Sequence, residues 1–417
     1  MDVDENKHSG GEEPLNNTIT TLQRALRSSN VEDAKKLAVK KEKAKNNDHF
    51  GVLVSPKNFK SLSEQKPHFR TKKLIKINHK DARFKLYFFS INSIDIQNQL
   101  ITGIYYDISD GKWKKDIYPY PNFLYRRGGV SKKYKRRYRS FVHQCKKKDT
   151  CFLNPSSLGN WEVYNYFNRV GSLKKYLQET ILYKEPDDLF NMLEKHRIVY
   201  LKGLTGRKAK NVTRIEQTSD QRYRYRYYNA SAKKVQTITF NKQEEMLPFI
   251  SNFYKGKQFM IQKAIDLLEI NNRRIDLRAE LQRTSTGSIS ICGISARLGR
   301  PKSPVTTHAD AINMDGLFKF LKLSPAEEAK LVIKMENFLY KVYRETENKY
   351  GTFAEMGIDF ALDQDLNIKF IECNSQSAKV SLYKAHGDKA LEQSLINVLL
   401  YAKSIQREKR AKMKKAN

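Results

Sequence analysis

The residues best suited to chemistry lie in one segment near the C-terminus, Gly357-Ile-Asp-Phe-Ala-Leu-Asp-Gln-Asp-Leu-Asn-Ile-Lys-Phe-Ile-Glu-Cys-Asn374. Its pattern predicts two strands joined by an acidic turn. Asp359 lies on the first strand, and Glu372 and Asn374 lie two apart on the second. Residues two apart on a strand share a face, so Glu372 and Asn374 are expected to point into one site. Carboxylate and amide oxygens suit Mg²⁺, and the predicted metal ligands are therefore Asp359, Glu372 and Asn374.

A second pair of charged residues lies upstream, in the segment Asp276-Leu-Arg278. The same alternation along a strand predicts that Asp276 and Arg278 share a face. A guanidinium group offers a planar fork of donors to a phosphate or a carboxylate, which makes Arg278 a candidate catalytic residue. A purely structural interpretation stays open: an Asp–Arg pair at the strand ends, beside a glutamate that faces solvent.

The elements that must position these residues follow from the hydrophobic pattern, which alternates between helices and strands from residue 154 onwards. Residues 222–228 alternate Arg and Tyr with a period of two, which predicts a strand with one basic and one aromatic face. A half-buried strand of an antiparallel sheet is favoured there over a surface that stacks on RNA bases. The other predicted elements are helices at 161–176, 186–195, 244–254, 324–350 and 388–405 and strands at 197–202, 211–216, 258–265, 275–283 and 288–298.

These elements divide the chain into an α+β domain at 151–405 and a smaller α/β domain at 49–150. The smaller domain is predicted from short apolar runs beginning at Phe50, Lys85 and Leu100, which suit buried strands. Residues 1–48 and 406–417 are polar and rich in lysine, and we expect two mobile tails there.

The composition bounds the surroundings in which the protein works. Lys and Arg outnumber Asp and Glu by 78 to 45, giving a net charge of +33 that attracts polyanions. No apolar run approaches the ~20 residues of a membrane span, and the polar start lacks the features of a secretory signal. The sequence therefore predicts a cytoplasmic protein without a membrane span. The 4 cysteines form no C-x-x-C pair, which is typical of free thiols.

The densest positive charge lies at 126–148, where basic residues are interleaved with Tyr134, Tyr138 and Phe141. One interpretation is a face that binds polyanions and stacks its aromatic rings on them. The alternative, slightly favoured, is a solvated helix whose aromatic side chains turn to the core.

Several motifs in order resemble a known family, the YheC/YheD family of endospore coat-associated proteins, which have an ATP-grasp fold. The resemblance runs from about Phe50 to Ile405. Its markers are Phe50-Gly-Val-Leu-Val, Tyr118-Pro-Tyr-Pro-Asn-Phe-Leu-Tyr-Arg, Asn154, Trp161-Glu-Val-Tyr, Gln178-Glu-Thr, Val199-Tyr-Leu-Lys, Met260-Ile-Gln, Ile275-Asp-Leu-Arg and the block at 357–374.

The resemblance implies an α+β ATP-grasp fold preceded by the small α/β domain, with ATP held between two subdomains. Lys202 would then reach the ATP phosphates, and Gln262 and Ala264 would contact adenine. Asp359, Glu372 and Asn374 match the family's magnesium positions, which agrees with the interpretation drawn from their spacing. Arg278 matches the arginine that contacts phosphate or substrate.

The loop after Lys202 departs from the glycine-rich loop of the family. Arg207, Ala209 and Asn211 stand where Ser, Gly and Gly are expected. Glycine lets backbone N–H groups approach a phosphate closely, which Ala209 does not allow cheaply. Arg207, Lys208 and Lys210 could compensate with charge, and Arg207 and Lys210 are therefore included among the predicted ATP-binding residues.

Two functions remain open at this stage. The first is an ATP- and magnesium-dependent ligase that activates an unknown carboxylate as an acyl phosphate for attack by an amine. The second is a spore coat-associated scaffold with a degenerate ATP-grasp domain, whose positive charge binds an anionic partner. The metal cluster favours the first and the altered loop favours the second. Nucleic-acid binding is the weakest reading, because no recognition motif accompanies the charge.

Overall fold

The computed structural model describes residues 48–416 with gaps at 156, 205–210, 230, 233, 302 and 307–309. Nearly all of the predicted N-terminal tail therefore lies outside the described residues, as do Arg207 and Lys210. No helix within the described ranges is long and apolar enough to cross a membrane. All four cysteines are free, as expected, and Cys145 and Cys373 are buried.

The first sheet is built from the N-terminal α/β segment in the order β3-β4-β2-β1-β6-β7, with β5 beside β4. Strands β2, β1, β6 and β7 run parallel, and β3, β4 and β5 pair antiparallel. Its strands are β1 (His49–Leu53), β2 (Lys85–Phe89), β3 (Ile94–Asp95), β4 (Leu100–Asp107), β5 (Lys112–Pro119), β6 (Phe123–Arg126) and β7 (Cys151–Phe152). The helices of this segment are α1 (Pro56–Ser63), α2 (Phe69–Ile77) and α3 (Lys135–Lys147), with a π-helical turn at Asn78–Ala82.

The two faces of the first sheet pack in separate cores, one with α1, α2 and the last helix of the chain and the other with α3. Alternate side chains of β2 divide between two cores, with Phe88 in one and Phe89 in the other. Phe141 and Cys145 of α3 complete the second core and are fully buried. The aromatic side chains of the basic segment therefore turn towards the core, as the favoured alternative predicts, while its lysines stay exposed.

The second sheet is antiparallel, in the order β12-β11-β10-β9-β13-β8. Its strands are β8 (Thr180–Leu182), β9 (Ile198–Gly203), β10 (Val212–Gln217), β11 (Tyr223–Asn229), β12 (Lys234–Phe240) and β13 (Phe259–Lys263). The helices packed on one face are α6 (Pro186–His196) and α7 (Leu247–Tyr254). Tyr225 lies in this core at 1% exposure, so the tyrosine face of the Arg–Tyr strand is structural.

The third sheet, also antiparallel, has the order β17-β16-β15-β18-β19, with β14 beside β15. Its strands are β14 (Glu269–Ile270), β15 (Arg273–Arg283), β16 (Ile289–Leu298), β17 (Asp310–Ile312), β18 (Glu355–Leu362) and β19 (Ile368–Asn374). One face packs in a core with α4 (Asn160–Phe167), α5 (Gly171–Lys174), α8 (Met314–Leu321) and α9 (Pro325–Tyr350). The predicted stripe on α9 is confirmed: Leu331, Met335, Phe338, Leu339 and Val342 are all buried.

Two helix predictions were wrong in their extent. The helix expected at 161–176 ends at Phe167, where an extended Val170 separates it from α5. The last helix, α10, runs from Val380 to Ala416 with a break at Gly387 (φ 73°), so the basic C-terminal segment is helical. Alanine, lysine, arginine and methionine favour a helix there. Arg410 also forms an ion pair with Asp48 at 2.6 Å.

Candidate functional site

The site lies on the polar face of the third sheet, opposite the face that packs in the core. On β15 the charged residues alternate with the buried Leu277, Ala279 and Leu281. The antiparallel register brings side chains from four neighbouring strands onto this polar face. They are Arg297 on β16, Asp276, Arg278, Glu280 and Gln282 on β15, Glu355 and Asp359 on β18, and Glu372 and Asn374 on β19.

Asp359 is held between two guanidinium groups. Both Nε and Nη2 of Arg278 donate to its carboxylate, with Nη2 at 2.7 Å from Oδ2. Arg297 Nη2 approaches the same Oδ2 at 3.1 Å. Burial alone would raise the pKa of Asp359, but the charges of Arg278 and Arg297 outweigh it and lower that pKa to about 2. Asp359 is therefore a fixed negative charge that already has two cationic partners.

Glu372 lies directly across the strand pair from Asp359 and behaves in the opposite way. Its pKa is raised, first by burial and then by the negative charge of Asp359. Asn374 donates from Nδ2 to Oε1 of Glu372 at 3.0 Å, so the two side chains that were expected to share a face do so. A carboxylate in this situation is stabilised by a nearby cation.

These residues fit Mg²⁺ in the chemistry of their donors. Glu372 offers carboxylate oxygens, and Asn374 keeps its amide oxygen while its nitrogen bonds Glu372. Within the described part of the chain, no group of three or more His, Cys, Asp or Glu side chains is gathered for a metal. The candidate is thus two carboxylates and an amide, the set that suits a metal sharing its ligands with nucleotide phosphates.

Lys202 approaches this acidic pair from the second sheet. It extends from β9, where its ammonium donates to Oε1 of Gln262 at 2.6 Å. Burial lowers the pKa of Lys202, while the negative charges of Glu372 and Asp359 act against that change. Lys202 is therefore close enough to the acidic residues of the third sheet for their negative charges to act on it.

The strand predicted to contact adenine, β13, is an inner strand between β9 and β8. Gln262 is fixed by its side chain, which accepts from Lys202 and donates to Oγ1 of Thr180 at 2.9 Å. Ala264 follows the end of the strand, and its N–H donates to the carbonyl of Ile198 at 3.1 Å. Because its N–H is already bonded, Ala264 would contact adenine through its carbonyl oxygen.

Arg278, the predicted catalytic residue, lies at the centre of the polar face. In addition to its two bonds to Asp359, it donates from Nη1 to Oγ of Ser377 at 3.2 Å, and the same Nη1 lies 3.9 Å from Oε1 of Glu280. A guanidinium group carries five N–H donors, so these three bonds leave two for an incoming oxyanion. Arg278 is thus oriented by its neighbours without being saturated by them.

The sequence interpretation missed a network that ties the site to the first sheet. Glu355 accepts from Tyr125 at 2.9 Å and from Arg127 at 2.6 Å, both on or beside β6. Lys379 lies 2.8 Å from the same carboxylate and 3.9 Å from Glu280. The alternation of polar and apolar residues through β15 could have revealed Glu280. The contacts of Glu355 with Tyr125 and Arg127 span more than 200 residues and leave no local signal.

The two antiparallel sheets, one carrying Lys202 and the other a polar face with carboxylates, agree with the ATP-grasp class of proteins, in which ATP lies between two α+β subdomains. The model of one family in this class, YheC/D like ATP-grasp, matches residues 149–405, more than half of the chain. The chain belongs to that family. The expected fold, α+β ATP-grasp, is confirmed.

Two curated relatives come from Bacillus subtilis (strain 168). The endospore coat-associated protein YheD is 22% identical over 311 residues, which cover 72% of this chain and 66% of YheD. The endospore coat-associated protein YheC is 20% identical over 334 residues, which cover 78% of this chain and 89% of YheC. The match thus spans slightly less than two thirds of YheD.

Solved structures of ligases are also similar at low sequence identity. D-cycloserine synthetase DcsG is 9% identical with a TM-score of 0.49, over 84% of this chain and 99% of that one. The D-alanine-D-alanine ligase from Coxiella burnetii is 8% identical with a TM-score of 0.48, over 89% and 100% of the two chains. These likenesses carry no information about the substrate.

Proposed function

We propose that this protein binds ATP and Mg²⁺ between the second and third sheets and acts as a ligase on a carboxylate substrate. The observation that carries the proposal is the coupling of Lys202 on one sheet to Glu372 and Asp359 on the other. A cation facing two carboxylates across a cleft is suited to a nucleotide whose phosphates need both a lysine and a metal ion. Family membership supports the same reading.

In this proposal, Glu372 and Asn374 hold the metal directly and Asp359 contributes negative charge behind them. Bound Mg²⁺ would neutralise phosphate charge and polarise the phosphoryl group that is transferred. Lys202 binds the phosphates as a compact donor, with Gln262 fixing its ammonium. The predicted contacts from Arg207 and Lys210 would add positive charge.

Arg278 then orients the reacting groups with its two remaining donors. A substrate carboxylate oxygen attacks the γ-phosphorus, the bond from that phosphorus to the bridging oxygen breaks, and ADP leaves. An amine next attacks the acyl carbon of the acyl phosphate, and phosphate and a proton are released. Donors fixed in advance at the developing negative charge are the largest contribution a protein makes to such a reaction.

Calorimetric titration with ATP, in the presence and absence of Mg²⁺, tests this function. Lys202→Ala and Glu372→Ala should each weaken MgATP binding by at least about tenfold, because each removes a charged partner. Lys184→Ala, which removes an exposed lysine of the same subdomain, is the matched control. Circular dichroism would verify that all variants fold. If the unmodified protein binds no MgATP at millimolar nucleotide, the ligase proposal fails and the scaffold function replaces it.

A second candidate function, a spore coat-associated scaffold that binds a polyanion, rests on the basic surface. Lys132, Lys133, Arg136 and Arg139 are all exposed in and beside α3. Lys409 of α10 donates to the carbonyl of Asp149 at 3.0 Å, which brings the basic C-terminal helix close to the end of α3. Two basic helices on one surface favour electrostatic binding of an anionic partner.

Binding of polyphosphate measured at several salt concentrations tests the scaffold function. Replacing Lys132, Lys133, Arg136 and Arg139 with Gln should weaken the binding and flatten its salt dependence, since fewer counterions are released. Arg137 is kept because it donates to the carbonyl of Ile94. A control variant replaces four exposed lysines elsewhere, Lys242, Lys257, Lys330 and Lys334. Equal losses in both variants would mean that net charge alone, and not this surface, binds the polyanion.

A further inference from the structure

The polar face of the second sheet carries a group of arginines that the proposed nucleotide site does not use. Arg214 on β10 pairs in register with Arg226 on β11, and Glu216 pairs with Arg224. Arg274, at the start of β15 in the third sheet, is close enough for its positive charge to act on Arg226. We call Arg214, Arg224, Arg226 and Arg274 the arginine cluster.

A single carboxylate, that of Glu216, lies close to all three arginines of the second sheet. Oε2 of Glu216 accepts from Nη1 of Arg214 at 2.5 Å. The same oxygen lies 3.5 Å from Arg226 and 3.7 Å from Arg224. Arg274 forms its ion pair with Glu269 at 3.3 Å. Four guanidinium groups therefore face two carboxylates, which leaves an excess of two positive charges.

Two side chains of the cluster, those of Arg214 and Arg226, are largely removed from water. The side chains of Arg214 and Arg226 are 5% and 12% exposed. Nε of Arg226 and Nη1 of Arg274 are buried without a hydrogen-bond partner among the described residues. Burial lowers the pKa of Arg226, and the charges of Arg214, Arg224 and Arg274 lower it further. Buried donors without partners are costly, so a ligand that satisfies them gains the corresponding free energy.

The cluster also lies away from the predicted adenine contacts. In the sheet order, β10 and β11 are on one side of β9, and β13 is on the other. Arg226 is two strands from Lys202, about 10 Å in the direction of the hydrogen bonds. The guanidinium carbon of Arg300, which follows β16, lies 5.9 Å from the ring centre of Tyr228, so a second arginine beside the third sheet reaches β11.

We propose that the arginine cluster is an oxyanion-binding site, separate from the nucleotide site, that takes a carboxylate or phosphate group of an acidic ligand. Guanidinium groups bind both anions through paired N–H donors. An anion held between Arg226 and Arg274 would offset their repulsion and join the two subdomains. The proposal does not depend on ligase activity.

Calorimetric titration of the full chain with inorganic phosphate and, separately, with a tri-glutamate peptide tests the site. At least one probe should bind the unmodified protein, and the probe that binds identifies the anion. Arg226→Gln and Arg274→Gln, which come from different sheets, should each weaken this binding about tenfold or more. Arg222→Gln removes the same charge from the exposed start of this segment, where Arg222 pairs with Asp220, and should have no effect.

Titration of the same variants with MgATP separates this site from the proposed ligase site. Arg226→Gln should leave MgATP binding unchanged, and Lys202→Ala should leave binding of the anion unchanged. Failure of both probes to bind at millimolar concentration would overturn the proposal, as would equal binding by the Arg226, Arg274 and Arg222 variants. It would also be overturned if Arg226→Gln weakened MgATP binding as much as Lys202→Ala does.

Discussion

On the polar face of the third sheet, Asp359 is bound by two guanidinium groups, whereas on the polar face of the second sheet one carboxylate, Glu216, contacts three arginines. Charged side chains of both faces are partly or fully buried, and Lys202 of the second sheet interacts electrostatically with Glu372 of the third. On the third sheet most charges have a partner of opposite sign, and burial raises the pKa of Glu372. On the second sheet the excess is positive. The comparison indicates that the third sheet is built to hold a cation and the second to meet an anion.

The largest expected effect comes from breaking the ion pairs of the third sheet. Asp359→Asn removes the negative charge that pairs with both Arg278 and Arg297. Two buried guanidinium groups are then left without their shared anionic partner. We expect the free energy of unfolding to fall by about 3–5 kcal/mol. Urea denaturation at neutral pH would measure this. The matched control is Asp365→Asn, in the exposed turn between the same two strands, which should change stability by about 0.5 kcal/mol or less.

The pH dependence of this loss has a definite sign. The pKa of Asp359 lies below its ordinary value in the folded protein, so the carboxylate contributes stability above its unfolded pKa and loses that contribution as pH falls towards about 2. The difference between the unmodified protein and Asp359→Asn should therefore shrink in acid. A difference independent of pH would mean that packing, rather than charge, holds Asp359 in place.

Asp359 and Glu372 also show which features of the site could be predicted from the sequence and which could not. The alternation in the block at 357–374 correctly predicted the two strands and the shared face of Glu372 and Asn374, because the period of a strand is local information. The partners of Asp359 on β15 and β16 depend on strand order and register, which a single segment does not contain. Arg278 was identified as important, but not as the partner that neutralises a predicted metal ligand.

The second sheet also shows which features a local sequence pattern predicts and which it does not. The Arg–Tyr alternation correctly predicted which residues face the core. It could not predict that Arg214 would lie beside Arg226, because hairpin register sets that pairing. The contact with Arg274 requires the two sheets to come together, and no periodicity encodes it. The excess of charge on this face is thus a property of the tertiary structure.

A smaller effect is expected at Glu372, and it has the opposite sign to that at Asp359. The pKa of Glu372 is raised in the folded protein, so ionising it costs stability as pH rises from its unfolded pKa through its folded pKa. Glu372→Gln avoids this cost. We expect the variant to be as stable as the unmodified protein or more stable at neutral pH, with the difference vanishing in acid, while MgATP binding is lost.

Denaturant titrations at several pH values would measure the effect at Glu372. Glu336→Gln, on the exposed side of α9, supplies the same chemical change as a control. A variant that loses stability at neutral pH would show that Glu372 is needed for the fold. The two carboxylates would then both stabilise the fold, and the expected difference between Glu372 and Asp359 would be wrong.

The smallest effect is expected in the arginine cluster, where Arg226→Gln tests the excess of positive charge. Removing one of several buried like charges relieves repulsion but also removes a weak contact with Glu216 at 3.5 Å. These terms oppose each other, so we expect stability to stay within about 0.5 kcal/mol of the unmodified protein or to rise. Arg222→Gln, which lacks such repulsion, is the control.

Added salt screens charges weakly at buried sites, so any gain from Arg226→Gln should persist at high ionic strength. A loss as large as that of Asp359→Asn would mean that Arg226 is paired as tightly as the ions of the third sheet, and the two faces would not differ in kind.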